Sequence, residues 1–539
     1  MNDMLRLTWV QPEDLIGHEL RQAAEDGRDA HDVRRRWLAA GGHLAPPRAG
    51  ASPTAAPPAL RALAETLLDE LAARPSPLAA DEPTGLDAIH ALAPAWRTAS
   101  PAGGRTDPSG GCAGHGVPAG NARGGSRPHG GAADPFGGRA VPGADRPAPT
   151  PPPGGRSGGR SGPAPAGSGA GTGPGAGGAA PPEALVRRLE AGWLGRAAGC
   201  LLGKPVEKLP LEGIREIARG TGNWPLRTWF TAVGLDPGVA ARHPWNRRSA
   251  PTSLAENIRG MPEDDDLNYP LLGLLLLEAH GHGFRTADVA ELWLAELPAG
   301  RTFTAERVAY RNLLEGVEPP LTALRRNPFR EWIGALIRAD VHGWTHPGDP
   351  AGAADAAWRD AVLTHTANGM LGAMFAAAVI AAAAGGGADV HACLAAGLGV
   401  LPPRSRLAAA VRFGVSAARA EPSGTPEGFA GVVDALHAAY GGHHWVHVLP
   451  NAALLAAALT HAGGDFSGSV TRAVSGGWDT DSNGATAGSV AGLLAGSPAA
   501  LPARWTGPLE NRLSTTVGGL DGIGFDTLAR RTAALVHAR

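Results

Sequence analysis

Sulfur chemistry has little to work with: the 539 residues contain three cysteines, Cys112, Cys200 and Cys393, with no CxxC spacing and no even set. That excludes a disulfide framework or a thiolate zinc site, and the compartment expected is a reducing one, the cytoplasm. The opening MNDMLRLTWVQPEDL puts Asp3 and Glu13 where an export signal needs an unbroken apolar stretch of roughly 7 to 15 residues, so none is read. An excess of one charge is also missing. With 48 Lys+Arg against 50 Asp+Glu the net charge is −2, which gives no field to gather nucleic acid or an anionic membrane. The most apolar stretch, Met370 to Ala384, is mostly alanine and shorter than the roughly 18 to 20 residues that cross a bilayer. It reads as a buried helix; neither a membrane nor a nucleic-acid partner is expected, and no oligomeric state is assigned. Strand formers are scarce too, with three Tyr, ten Phe and few β-branched runs of period two, so the fold class expected is all-α.

Glycine and proline are present in excess, and the excess is local. Residues 101 to 180 hold 26 Gly and 14 Pro, one aromatic (Phe136), no Lys and no Glu. Such a composition buries too little apolar surface to offset chain entropy, and residues 98–181 read as a disordered linker. Its GGRSGGRSG tract faintly resembles RNA-binding RGG repeats but lacks their interleaved aromatics. Residues 1–97 read as a helical accessory region without visible chemistry, and residues 182–539 as a compact multi-helix domain that should fold without residues 1–181. Two windows of that domain carry glycine at every fourth position, Gly195, Gly199 and Gly203 in one and Gly484, Gly488, Gly492 and Gly496 in the other. Each glycine inside a helix costs about 1 kcal/mol relative to Ala, so the repetition predicts a groove where another backbone comes close.

The chemistry concentrates in two acidic motifs. Glu263-Asp264-Asp265-Asp266 precedes Leu267-Asn268-Tyr269-Pro270 and an apolar run. Pro270 crowds a continuous helix, which places the helix start near Leu267 and the acids in the turn before it. A helix dipole favours such acids at a surface cap, but four adjacent carboxylates repel one another unless a cation neutralises them. In Gly476-Gly477-Trp478-Asp479-Thr480-Asp481-Ser482-Asn483-Gly484 the glycines favour an extended loop, where Asp479 and Asp481 lie on the same side. Carboxylate and hydroxyl ligands without a Cys or convergent His set select Mg²⁺, Mn²⁺ or Ca²⁺ over Zn²⁺. A third element, GCLLGKPVE, ends at Glu207.

GWLGRAAGCLLGKPVE, PEDDDLNYPLLGLLLLE, NPFREWIGALIRAD with LTHTANGMLGAMF, and NAALLAAALTHAGGDFSGSVTRAVSGGWDTDSNGATAGSVAG occur in this order between about residues 186 and 497. Together they resemble the ADP-ribosylglycohydrolase family, which includes the glycohydrolase that activates dinitrogenase reductase. The resemblance implies an all-α fold, a centre of two Mg²⁺ ions (Mn²⁺ substituting) and hydrolysis of an N- or O-glycosidic bond to ADP-ribose on a modified protein or small molecule. Asp264 and Asp265 match the family's metal-binding aspartates, and Asp479, Asp481 and Ser482 its D-x-D-[ST] motif. Asp479 or Asp481 is then a candidate base, and Glu207 matches a glutamate that serves as acid, gate or metal ligand. Glu263 and Asp266 stand where the family has hydroxyl residues, which leaves open whether Glu263 binds metal and how many ions are held. His365, Asn368 and Trp445, with His443, His444 and His447 nearby, are candidates for contact with ribose, adenine or pyrophosphate, or else for ordinary helix-end packing. Two other readings fit the acidic motifs: a non-catalytic ADP-ribose-binding module, and a Mg²⁺-dependent diphosphate-handling enzyme on a helical scaffold.

Overall fold

Alanine- and leucine-rich windows broken by Gly and Pro become helices wherever one face can be buried, and here nearly every window finds a partner. The computed structural model describes residues 6–44, 50–52, 54–97 and 182–536. Among these residues there are twenty-four α-helices, and the only β pairing is three isolated bridges. The all-α expectation holds. The linker expected over residues 98–181 lies outside the described residues.

The two glycine stripes face each other. The helices Glu183–Gly203 and Thr480–Ala495 run antiparallel, and a Cβ added at Gly195 would strike the Gly488 carbonyl, one at Gly199 the Gly484 carbonyl, and one at Gly203 the Thr480 backbone. The groove expected from the sequence is thus the seam between the two striped helices. Gly496 does something else: it is the left-handed residue at φ 79° that ends its helix. At the other end of the seam Thr480 Oγ1 donates to the Gly203 carbonyl at 2.9 Å, which ties the start of one helix to the end of the other. Gly199→Val is expected to lower stability by more than about 3 kcal/mol, because the obstacle is backbone that has no rotamer to move into. Gly431 in the helix Phe429–Tyr440 has nothing within 4 Å of its would-be Cβ. Gly431→Ala should therefore raise the melting temperature slightly, and equal losses in the two variants would contradict the seam.

The apolar stretch at Met370 lies within the helix Ala367–Gly385, buried over nearly its whole length. Although long and apolar enough to cross a bilayer, it has 89% of its most apolar window packed inside the protein. The neighbouring helices Pro350–Ala361, Asp340–Trp344 and Val390–Gly399 pack against it.

The described part of the accessory region expected over residues 1–97 packs with residues 182–536 as one compact unit. The helix Pro12–Glu25 presents Glu19 and Asp26, the residue after its end, to Arg330 at 2.8 and 3.0 Å. Gln22 Nε2 donates to Glu331 Oε1 at 2.7 Å, and His18 stands edge-on to Phe329 and Trp332, with ring centroids 5.0 and 5.8 Å away. Further along, Glu82 accepts from Arg406 at 2.7 Å and the Thr84 carbonyl from the Trp358 indole at 2.8 Å. Glu19 and Asp26 also pair with Arg28, nearby in the chain, but their bond to Arg330, some 300 positions away, is invisible in the sequence.

Candidate metal and catalytic centre

The first acidic motif starts its helix two residues earlier than expected. The helix is Asp265–His280, with Asp264 as its N-cap: Asp264 Oδ1 accepts from the Asp266 N–H at 2.9 Å. Pro270 sits inside this helix and has no N–H to give to the Asp266 carbonyl. Arg196 takes that place, its Nε donating to Asp266 O at 2.8 Å. The same guanidinium, fully buried, bonds Asp266 Oδ1 at 3.2 Å, Asp340 Oδ2 at 2.8 Å and the Ile337 carbonyl. One arginine from the first striped helix thus repairs the proline's missing bond and fixes the acidic turn.

The second motif is also a helix start rather than an extended loop. Gly477 (φ 80°) and Trp478 (φ 57°) turn the chain, Asp479 is the N-cap of Thr480–Ala495, and Asp481 lies in its first turn. The two carboxylates still meet, because an N-cap residue has non-helical φ and ψ and folds its side chain back over the first turn. His437 stacks on Trp478 with centroids 3.8 Å apart and planes 3° from parallel, and its Nε2 donates to the Gly476 carbonyl at 2.8 Å. Asn451 Oδ1 accepts from Asp479 N and Asn483 Nδ2, at 3.1 and 2.7 Å, while its Nδ2 donates to the carbonyls of Trp445 and His447.

Together these starts deliver Glu207, Asp479 and Asp481 with one oxygen each within 4.8 Å of one another, and Cys200, Asp264 and Asp266 form a second such group. Both groups adjoin a cavity of about 530 Å³ whose wall includes Glu207, Glu263, Asp264, Asp265, Asp266, Asp479, Asp481 and Ser482. Burial, with the negative charges of the neighbouring acids, pushes Asp265, Asp266 and Asp479 well above the ordinary carboxylate range and Asp481 up to about 7. Burial would raise Asp264 as well, but the Lys204 ammonium paired with it holds it low, and the pair in turn raises Lys204. Carboxylates that hold protons this firmly have too little positive charge around them, which is the condition a hard cation relieves.

The two groups differ in what already holds them. Asp266 is engaged by Arg196 and by Ser482 Oγ at 3.4 Å, and burial and the neighbouring acids keep the Cys200 thiol protonated, so this group is a structural hub. Asp265, Asp479 and Asp481 line the cavity without a basic side chain of their own. Glu207 follows the 3₁₀ turn Lys204–Val206, and its carboxylate accepts from Asn246 Nδ2 at 2.7 Å and pairs with Lys208 at 2.7 Å. Glu263 is on the cavity wall but turns toward Asn268 (2.9 Å) and Arg301 (3.1 Å), outside both carboxylate groups.

Of the remaining candidates, Trp445 lines the cavity, with Lys208 Nζ 5.9 Å from its ring centroid. His365 and Asn368 are fully buried and absent from the cavity wall. His365 Nδ1 meets Thr364 Oγ1 at 2.6 Å, and Asn368 bonds Glu331 and the Leu407 N–H, so both brace the framework. Among the described residues no histidine belongs to a candidate metal group. The sequence reading passed over Lys204, Arg196, Asn246 and Asn451. Lys204 was visible as a cation three residues before the stripe's acid, whereas the other three show their role only through partners distant in the chain.

The sequence model of the ADP-ribosylglycohydrolase family matches residues 181–538, about two thirds of the chain. The protein belongs to this family of hydrolases, which is in general metal-dependent. A solved structure described as an ADP-ribosylglycohydrolase-related protein complex is similar over 66% of this chain and 99% of its own, at 21% identity and a TM-score of 0.41. No curated protein matches.

Proposed function

We propose that the protein hydrolyses the glycosidic bond between ADP-ribose and an acceptor, a protein side chain or a small molecule, with Mg²⁺ as cofactor and Mn²⁺ able to replace it. The observation that carries this reading is the meeting of Glu207, Asp264, Asp265, Asp479 and Asp481 on one cavity wall of a family member. Asp265, Asp479, Asp481 and Ser482 would hold the metal, with Asp264 shared between it and Lys204; Glu263 adds charge at the rim. A divalent ion held there would supply positive charge beside the reacting carbon and lower the pKa of a water.

The protein's own groups account for the rest. A carboxylate of the Asp479–Asp481 pair accepts a proton as the water oxygen bonds to the anomeric carbon, and its negative charge stabilises the oxocarbenium-like transition state. Glu207, held by Asn246 and Lys208, gives a proton to the departing acceptor atom as the glycosidic bond breaks. The products are ADP-ribose and the unmodified acceptor.

A panel of arginine-, serine- and base-linked ADP-ribosyl substrates, assayed with Mg²⁺ and with EDTA, tests the reading. Free ADP-ribose should appear from at least one substrate with Mg²⁺ and not with EDTA. Binding without release would instead identify a non-catalytic module. In calorimetry, Asp481→Asn should weaken Mg²⁺ binding at least tenfold, about 1.4 kcal/mol; unchanged affinity would remove Asp481 from the metal set.

A further inference from the structure

The family match begins at residue 181, yet one residue on the wall of the catalytic cavity comes from far outside it: Trp9. We propose that the N-terminal segment completes the substrate cleft and that Trp9 is the surface on which the adenine ring of the ADP-ribosyl group stacks. This rests on the function proposed above.

Three observations carry it. First, Trp9 is fixed in place. Thr8 Oγ1 accepts from Arg307 Nη1 at 2.6 Å, Arg6 Nη2 donates to Glu13 at 2.7 Å, and the indole stands edge-to-face with Phe329 (5.7 Å) and Trp332 (6.4 Å). Second, its backbone is in the left-handed region at φ 70°, unfavourable for a bulky side chain and maintained where surrounding contacts over-determine it. Such a residue, partly buried against the core yet on the cavity wall, indicates a surface held ready for contact.

Third, the cavity wall is not lined by charge alone: beside the acids and Lys204 it carries Trp9, Phe303, Ile333 and Ile337. The other cavity tryptophan, Trp445, lies by Lys208, which is paired with Glu207, so it belongs to the reacting part. An ADP-ribosyl group has one planar, uncharged portion, its adenine, and Trp9, the larger of the two aromatic residues left on the wall once Trp445 is assigned, provides a surface for it. Stacking of a base on an aromatic side chain is worth enough that its removal is readily measured.

The test uses full-length protein, Mg²⁺ and ADP-ribose. Trp9→Ala should weaken ADP-ribose binding about 5- to 100-fold by calorimetry at a temperature where the variant is fully folded, with loss of saturation transfer to the adenine H2 and H8 protons. Trp9→Phe should recover most of the affinity. The inference is overturned if Trp9→Ala binds within twofold of the unaltered protein, or if Trp9→Phe is as weak as Trp9→Ala, which would reduce Trp9 to packing. If the unaltered protein fails to bind ADP-ribose, the functional reading itself falls and this inference with it; normal binding by Trp9→Ala sinks only the role of Trp9.

Discussion

Residues 182–539 expressed alone are expected to aggregate, or to melt without the cooperative transition of the full chain. Removing residues 1–97 takes both carboxylates, Glu19 and Asp26, from Arg330, whose side chain is only 12% exposed. It also takes Gln22 from the buried Glu331 and Glu82 from Arg406. Breaking a buried ion pair by removing one partner costs about 3 to 5 kcal/mol, since the remaining charge stays uncompensated. That loss at Arg330, with the bonds of Glu331 and Arg406 weakened and Phe329 and Trp332 newly exposed, is a large part of the roughly 5 to 15 kcal/mol that holds a whole domain together. Co-expression of residues 1–97 as a separate polypeptide should restore a soluble complex that co-elutes in gel filtration. If residues 182–539 alone matched the full chain's melting temperature, the docking would be dispensable and the region accessory in the sense first expected.

That docking marks what a single sequence can and cannot convey. Local devices were legible: the glycine stripes announced a close helix contact, and the acidic motifs announced a carboxylate centre, because each is a repetition or cluster of residues costly without a purpose. Contacts between distant segments were not. Glu19 reads as one more acid in an amphipathic helix until Arg330 is brought beside it, and Trp9 reads as an isolated aromatic until the cavity is closed around it. The helix starts were misplaced for a related reason. Pro270 normally marks a first turn, but Arg196, 74 positions upstream, supplies the hydrogen bond that the proline withholds and lets the helix begin at Asp265. Asp479 and Asp481 converge as expected, though by N-cap geometry instead of an extended loop. For His365 and Asn368 the sequence left cleft contact and helix-end packing both open, and burial decides for packing.

Glu207→Gln should lower kcat and kcat/KM together by at least about 100-fold while leaving the dissociation constant for ADP-ribose within about threefold, the pattern of a proton donor used only as the bond breaks. The substitution preserves the local structure: a Gln oxygen can still accept from Asn246 Nδ2, which now lies 2.7 Å from Glu207 Oε2, so only the acid and the pairing with Lys208 are lost. Because Glu207 lies within 4.8 Å of ligand atoms on Asp479 and Asp481, the same variant also tests the rival role. A metal ligand removed from that group would weaken Mg²⁺ binding, and excess Mg²⁺ would restore turnover. A proton donor removed leaves Mg²⁺ affinity nearly unchanged, and no excess of metal restores the rate. Substrates with acceptors of lower pKa should suffer least, since they depart without a proton. If Glu207→Gln keeps wild-type kcat on a substrate the enzyme cleaves, Glu207 is a structural cap, and Glu263 and Asp266 become the next acids to test.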